Sequence, residues 1–98
     1  MIPRTLVVDD DAALRFTLRG ILEDAGHAVD EAEDGVRALA KLDAGGGYHL
    51  VLSDLRMPNM DGLTLLARIR ERPSPPRVIL ITAHGSERAA VEAIKGGA

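Results

Sequence analysis

Apolar and polar residues follow two kinds of pattern along this chain. Short apolar runs predict β-strands, and longer stretches in which apolar residues recur every three or four positions predict α-helices. The predicted strands are Thr5–Val8, Ala28–Ala32, Leu50–Ser53 and Val78–Ile81. A predicted helix follows each of them. This regular alternation of strand and helix predicts an α/β fold with a parallel sheet and helices on both of its faces.

The ends of the predicted helices carry capping residues. Asp11, Asp34 and Ser86 are well placed as N-caps, Gly26 as the residue after the first helix, and Pro73 requires the third helix to end before it. The apolar positions predicted to face the core are Leu14, Leu18, Ile21, Leu22 and Ala25 in the first helix, Val36, Leu39, Ala40 and Leu42 in the second, and Leu63, Leu66 and Ile69 in the third.

The strands differ in how polar they are. The third and fourth are apolar throughout, which is typical of strands covered on both faces. The second alternates weakly between apolar and polar residues, and we expect it at an edge of the sheet.

Carboxylates and a hydroxyl follow the ends of three predicted strands. Asp9, Asp10 and Asp11 come after the first, Asp54 after the third and Thr82 after the fourth. In open α/β sheets the ligand site lies at this edge, where the strand order reverses. Carboxylates gathered there repel one another unless a cation compensates them, and an all-oxygen ligand set favours Mg²⁺.

A Mg²⁺ site beside a free carboxylate suits phosphoryl transfer, in which an aspartate can itself be the nucleophile and form an acyl phosphate. Asp54, on the central third strand, is the best placed to be attacked. Asp9 and Asp10 would then hold the metal, and Thr82 would donate a hydrogen bond to a phosphoryl oxygen.

Composition narrows the classes of function. The 98 residues, 46% of them apolar and 28% charged, suit one folded domain, and the lack of cysteine excludes a disulfide scaffold. A net charge of −3 and only two aromatic residues argue against direct nucleic-acid contact. No apolar run approaches the ~20 residues of a membrane span, and no signal peptide is evident. These features predict a cytoplasmic protein without membrane contact.

Three segments resemble the receiver domain of bacterial two-component response regulators: Leu6–Asp11, Leu52–Gly62 and Ile81–Gly85. The resemblance covers essentially the whole chain. Within that family, Ile81–His84 is similar to the receivers of nitrogen-regulatory-type transcriptional activators. The resemblance implies a flavodoxin-like, doubly wound parallel sheet with strand order 2-1-3-4-5, of which four βα units out of an expected five are present.

The resemblance also implies roles for individual residues in a signalling switch. Asp54 would accept a phosphoryl group from a sensor histidine kinase. Mg²⁺ would be bound directly by Asp10, Asp54 and the backbone carbonyl of Arg56, and through a water molecule by Asp9. Such a domain assists its own phosphorylation and dephosphorylation and is not an enzyme acting on a separate substrate.

Further residues would modulate the switch. Thr82 would be the switch hydroxyl, and Ala83 would leave room for its movement. Met57 and Pro58 would shape the loop after Asp54, and His84 would shield the phosphoryl group from water.

The chain departs from the family pattern in one respect. Receivers have a fifth strand with a lysine that contacts the phosphoryl group and a coupled aromatic residue, and neither Lys41 nor Lys95 lies at a strand end. We therefore expect residues 1–98 to be a receiver domain truncated before strand five. Its output, transcription regulation, would need an effector domain outside this segment. The exposed edge of the fourth strand would favour a homodimer or a strand-exchanged oligomer.

Two other functions stay open. Asp9–Asp11 also fits the Asp-x-Asp motif of haloacid-dehalogenase-type phosphohydrolases, in which Asp9 would be the nucleophile. A binding module that keeps the fold without being phosphorylated is the other alternative, and it would have no affinity for Mg²⁺.

Overall fold

The computed structural model describes residues 2–81, which form four strands and three helices. In chain order these are β1 (Arg4–Val8), α1 (Ala12–Asp24), β2 (Ala28–Ala32), α2 (Gly35–Asp43), β3 (Leu50–Asp54), α3 (Gly62–Arg70) and β4 (Arg77–Ile81). The predicted strands and the first three predicted helices are confirmed, with bounds that differ by a residue or two. The fourth predicted helix, with its cap Ser86, lies outside the described residues.

The four strands form one parallel sheet in the order β2-β1-β3-β4. The order reverses between β1 and β3, because the chain passes from β1 outward to β2 and then returns to the other side of β1. Val8 lies opposite Ser53 across this pair, and Asp54 lies opposite Ile81 of β4. The α/β class, the doubly wound order and the edge position of β2 are therefore as predicted.

The main core lies between the sheet and the pair α2 and α3. Leu6 and Val8 of β1 point to this side, and their alternate neighbours Thr5 and Val7 point to the other. Right-handed crossovers place α1 on the face opposite α2 and α3. The buried residues of the main core are Leu6, Val8, Ala32, Ala38, Val51, Leu55, Leu65, Leu66, Ile69, Val78 and Leu80.

Aspartate caps begin all three described helices. The side chains of Asp11, Asp34 and Asp61 accept hydrogen bonds from backbone N–H groups in the first turns of α1, α2 and α3. Gly26 follows the C-cap of α1 with φ of +93°, a left-handed conformation that glycine adopts readily. The caps predicted from the sequence at Asp11 and Asp34, and the helix end predicted at Gly26, are confirmed.

Five predicted core residues on the helices are wrong. Ile21 is 61% exposed, Val36 53% and Leu63 42%, and the small side chains of Ala25 and Ala40 are exposed as well. Each lies beside the stripe that packs on the sheet, which in α2 is centred on Ala38 and in α3 on Leu65. Helical spacing predicts that an apolar stripe exists, but an adjacent apolar residue broadens the pattern without being buried.

The expectation that β3 and β4 are buried on both faces is also wrong for the described residues. Leu52 is half-buried, and Ile79 is 39% exposed. Both lie on the α1 side of the sheet, since Leu52 is paired with Val7. Among the described elements, helix α1 packs mainly against β1 and β2, which leaves this half of the sheet less covered.

Truncating the core at α3 should be costly. Ile69 is fully buried, so Ile69→Ala is expected to lower the free energy of unfolding by about 2–5 kcal/mol. The matched control is Leu63→Ala on the same helix, where an exposed side chain is removed and the loss should stay near ~0.5 kcal/mol. Urea denaturation followed by circular dichroism compares the two, and equal losses would contradict this packing.

The cap of α2 predicts a pH dependence. The backbone N–H of Arg37 lowers the pKa of the Asp34 carboxyl, with smaller contributions from Asn59 and the Arg37 charge. Because the pKa is lower in the folded state, the ionised carboxylate stabilises the fold above its unfolded pKa, and this stability is lost as pH falls through the folded value. Asp34→Asn should therefore be less stable than the parent near neutral pH, with a gap that closes in acid. The exposed Asp24→Asn is the control, and a pH-independent gap for Asp34→Asn would contradict the prediction.

Candidate functional site

The structure brings three carboxylates together where β1 and β3 end. Asp9 follows β1 directly, and Asp54 is the last residue of β3. The β1–β3 register makes their backbones neighbours, and Asp10 follows at the same edge. One carboxylate oxygen from each of Asp9, Asp10 and Asp54 lies within 4.8 Å of the other two. This is the cluster expected from the sequence, whereas Asp11 is turned away to cap α1.

The three carboxylates differ in exposure. Asp9 is 3% exposed, Asp54 is half-buried and Asp10 is exposed. Asp9 Oδ1 accepts a hydrogen bond of 2.8 Å from the backbone N–H of Asp11, so one of its oxygens is already engaged by the protein. Asp10 and Asp54 are the more accessible members of the cluster.

The backbone of Asp9 is held on both sides. Its N–H donates to the carbonyl of Ala32 on β2 at 3.1 Å. Its carbonyl accepts from Nη1 of Arg15, one turn into α1, at 2.6 Å. The acidic turn is therefore attached to β2 and to α1 as well as to its own strand.

The electrostatics of the cluster favour a bound cation. Burial raises the pKa of the Asp9 carboxyl, the N–H of Asp11 opposes this, and the negative charges of Asp54 and Asp10 raise the pKa further. A positive ion between the three carboxylates would remove this mutual repulsion. An all-oxygen set that includes an exposed carboxylate fits a hard ion such as Mg²⁺, which binds to a few carboxylates and keeps other positions for water or phosphate.

The loop after Asp54 bends tightly back over the end of β3. The N–H of Arg56 lies 3.4 Å from Asp54 Oδ1, which places the Arg56 backbone beside the carboxylate cluster. Met57 packs against the main core, while Pro58 is exposed. Asn59 has φ of +70°, the left-handed region that a non-glycine residue adopts only when its surroundings hold it there.

The loop ends at Gly62, where no side chain fits. A Cβ atom built at this position would overlap the carbonyl oxygen of Asp54. The Gly62 N–H also donates to the Leu55 carbonyl at 2.9 Å. The absence of a side chain lets α3 begin directly beside the residue that ends β3.

Two contacts at the site are not evident from the sequence. One is the Arg15 hydrogen bond to Asp9. The other runs from Asn59 Nδ2 to the buried carboxylate of Asp34 at 3.4 Å, and it links the loop to the start of α2. The sequence signal for either contact is a polar side chain near a helix start, which is common on protein surfaces and does not identify a partner.

Three of the predicted site residues lie outside the described residues: Thr82, Ala83 and His84. Their predicted roles stay predictions. In residues 2–81, no helix is long and apolar enough to cross a membrane.

Comparison with known proteins decides the family. The sequence pattern of the family described as "Response regulator receiver domain" matches residues 5–98. The chain belongs to this family. The receiver resemblance read from the three motifs is therefore confirmed, and receiver domains are signalling domains.

Curated relatives of this receiver domain are transcriptional regulators. It is 44% identical over 95 residues to the transcriptional regulatory protein ResD of Bacillus subtilis, covering 96% of this chain and 38% of ResD. It is 45% identical over 94 residues to FixJ of Bradyrhizobium diazoefficiens, covering 94% of this chain and 44% of FixJ. It is 45% identical over 92 residues to NtrC of Salmonella typhimurium, covering 94% of this chain and 19% of NtrC. The chain spans less than half the length of these relatives.

Solved structures share the fold of this receiver domain. A response regulator receiver protein from Pseudomonas putida superposes with a TM-score of 0.87 at 28% identity, covering 99% of this chain and 81% of that one. The response regulator TrrA from Thermotoga maritima, solved in complex with Mg²⁺-BeF, gives a TM-score of 0.85 at 35% identity, covering 95% and 80%.

Adding a side chain at Gly62 should destabilise the fold beside the site. Gly62→Ala is expected to lower the free energy of unfolding by about 1–3 kcal/mol, because the new Cβ must push α3 away from the Asp54 carbonyl. Gly20→Ala is the matched control: Gly20 lies inside α1 with open space around it, so alanine should stabilise the fold by about 0.5–1 kcal/mol. Thermal and urea melts measure both variants, and a neutral Gly62→Ala would contradict the close approach.

Proposed function

We propose that this receiver domain accepts a phosphoryl group on Asp54 from a phosphohistidine of a sensor histidine kinase, with Mg²⁺ bound in the carboxylate cluster. The observation that supports this most strongly is the convergence of Asp9, Asp10 and Asp54 at the point where the strand order reverses. The Mg²⁺-BeF complex of the Thermotoga maritima relative is consistent with it.

The choice of nucleophile follows from exposure. Asp54 is half-buried at the end of a central strand, so an approaching phosphorus atom can reach its carboxylate while the strand keeps the backbone fixed. Asp9 is 3% exposed, and one of its oxygens already accepts the Asp11 N–H. This geometry favours Asp54 over Asp9 and thus disfavours the haloacid-dehalogenase-type alternative.

In the proposed transfer, a carboxylate oxygen of Asp54 forms a bond to phosphorus as the P–N bond of the phosphohistidine breaks. The leaving imidazole nitrogen keeps the bonding electron pair and takes up a proton, and Asp54 becomes an acyl phosphate. With acetyl phosphate as donor, a P–O bond breaks instead and acetate leaves. In both cases the protein positions the nucleophile and holds charge near the reacting oxygens.

We propose Asp10, Asp54 and the Arg56 backbone carbonyl as the direct ligands of Mg²⁺, with Asp9 acting through a water molecule. The exposure of Asp10 and the burial of Asp9 support this division of roles. When bound, Mg²⁺ neutralises charge on the phosphoryl oxygens.

The remaining roles are extensions of the same proposal. Thr82 supplies the switch hydroxyl with Ala83 leaving room beside it, and His84 shields the acyl phosphate from water. Met57 anchors the loop in the core, and Pro58 restricts its backbone.

The output is regulation of transcription in the cytoplasm through an effector segment. The names of the relatives ResD, FixJ and NtrC as transcriptional regulators, and their greater length, support this. The domain itself makes no direct contact with nucleic acid. It acts as a phosphoacceptor that assists its own phosphorylation and dephosphorylation.

Phosphorylation by acetyl phosphate with Mg²⁺ tests the proposal. Intact mass spectrometry should show one added phosphoryl group on the parent chain and on the exposed Asp24→Asn control, and none above background on Asp54→Asn. Asp9→Asn should keep the ability to be modified at Asp54. Modification that survives in Asp54→Asn and is lost in Asp9→Asn would favour the phosphohydrolase, and an unmodified parent chain without affinity for Mg²⁺ would favour the binding module.

A further inference from the structure

Arg15 connects three parts of the molecule around the acidic turn. It lies on α1, and its side chain is only 15% exposed. Its Nη1 donates to the carbonyl of Asp9 at 2.6 Å, and its Nε donates to Glu31 Oε1 on β2 at 3.0 Å. One planar guanidinium thus joins the turn, the helix that follows it and the neighbouring strand.

The hydrogen bond to Asp9 controls the backbone that carries Asp10. The Asp9 carbonyl belongs to the same planar peptide group as the Asp10 N–H, so holding that oxygen fixes the orientation of the peptide. The Asp10 side chain leaves the backbone at the next Cα atom. Because Asp10 is exposed, packing around its side chain contributes little to its direction, and the orientation of the peptide before it matters more.

We propose that Arg15 is a positioning residue for the cation site, which aims the Asp10 carboxylate at Asp54 by fixing the Asp9 carbonyl. This inference rests on the proposed function, in which Asp10 and Asp54 bind Mg²⁺. Glu31 supports this positioning, because its carboxylate accepts from Nε of Arg15 and holds the guanidinium where Nη1 reaches the Asp9 carbonyl. Groups that orient metal ligands from outside the coordination sphere typically contribute 10–100-fold in metal affinity.

Arg19 provides a matched control one turn further along α1. It also pairs with Glu31, through Nη1 and Oε2 at 2.9 Å, and it contacts Glu23 at 3.3 Å. Its side chain is 41% exposed, and the described hydrogen bonds of Arg19 go to these two glutamates. Replacing Arg19 removes the same charge and a salt bridge to the same partner, but leaves the Asp9 carbonyl bound.

The test is Mg²⁺ titration of the parent chain and its variants by calorimetry, together with ¹⁵N–¹H spectra recorded without Mg²⁺. Arg15→Gln is expected to weaken Mg²⁺ binding at least ~10-fold and to shift the Asp10 amide signal, whereas Arg19→Gln should change affinity less than ~3-fold. Arg15→Lys keeps the charge but not the two-pronged geometry, so it should recover only part of the affinity.

Equal losses of Mg²⁺ affinity in Arg15→Gln and Arg19→Gln would overturn the inference, because the removal of one positive charge would then explain both. Full recovery in Arg15→Lys would overturn it for the same reason. Should Arg15→Gln fail to fold, Glu31→Gln replaces it. A Mg²⁺ affinity of Glu31→Gln no weaker than that of Arg19→Gln would then overturn the inference. A parent chain that binds no Mg²⁺ would instead contradict the proposed function.

Discussion

The parallel pairing of β1 with β3 is the constraint on which the site depends. With Val8 opposite Ser53, the residues that follow both strands emerge side by side at one edge of the sheet. Asp9 and Asp54 are thereby forced into proximity, with Asp10 next to them. Burial raises the pKa of the Asp9 carboxyl, and electrostatic repulsion from Asp54 and Asp10 raises it further. A register shifted by one residue would separate these carboxylates and would also turn the core face of the shifted strand outward.

The surrounding structure resists that repulsion by fixing the backbone. On the β1 side, the Asp9 main chain is bound by Ala32 and Arg15. On the β3 side, the bare Gly62 allows α3 to start against Asp54, and Asn59 is held in a left-handed conformation beside Asp34. Such rigidity suits a site in which a cation and a phosphoryl group must find their ligands already in place.

Much of this arrangement could be predicted from the sequence, because it follows from local patterns. Apolar runs mark the strands, aspartates mark the helix starts, and strand ends followed by Asp9, Asp10 and Asp54 mark the site. Errors arose where burial depends on a neighbour in space. Leu63 and Ile79 are apolar and periodic, yet the position of each relative to the packed face leaves it exposed.

The hydrogen bonds that hold the backbone around the site could not be predicted in the same way. Arg15 is one of ten arginines, and nothing in its local sequence distinguishes it from Arg19, which also lies on α1 and also reaches Glu31. Only the folded geometry shows that one of the two donates to the Asp9 carbonyl. The same holds for the contact between Asn59 and Asp34, which are separated by 25 residues.

The most direct test of the central claim is a crystal structure of this chain with Mg²⁺ and beryllofluoride. We expect the beryllium to be bonded to a carboxylate oxygen of Asp54, and Mg²⁺ to lie ~2.0–2.1 Å from oxygens of Asp10, Asp54 and the Arg56 carbonyl. Beryllofluoride attached to Asp9, or Mg²⁺ bound away from the three carboxylates, would contradict the claim that the carboxyl ends of β1 and β3 form a phosphoacceptor site centred on Asp54.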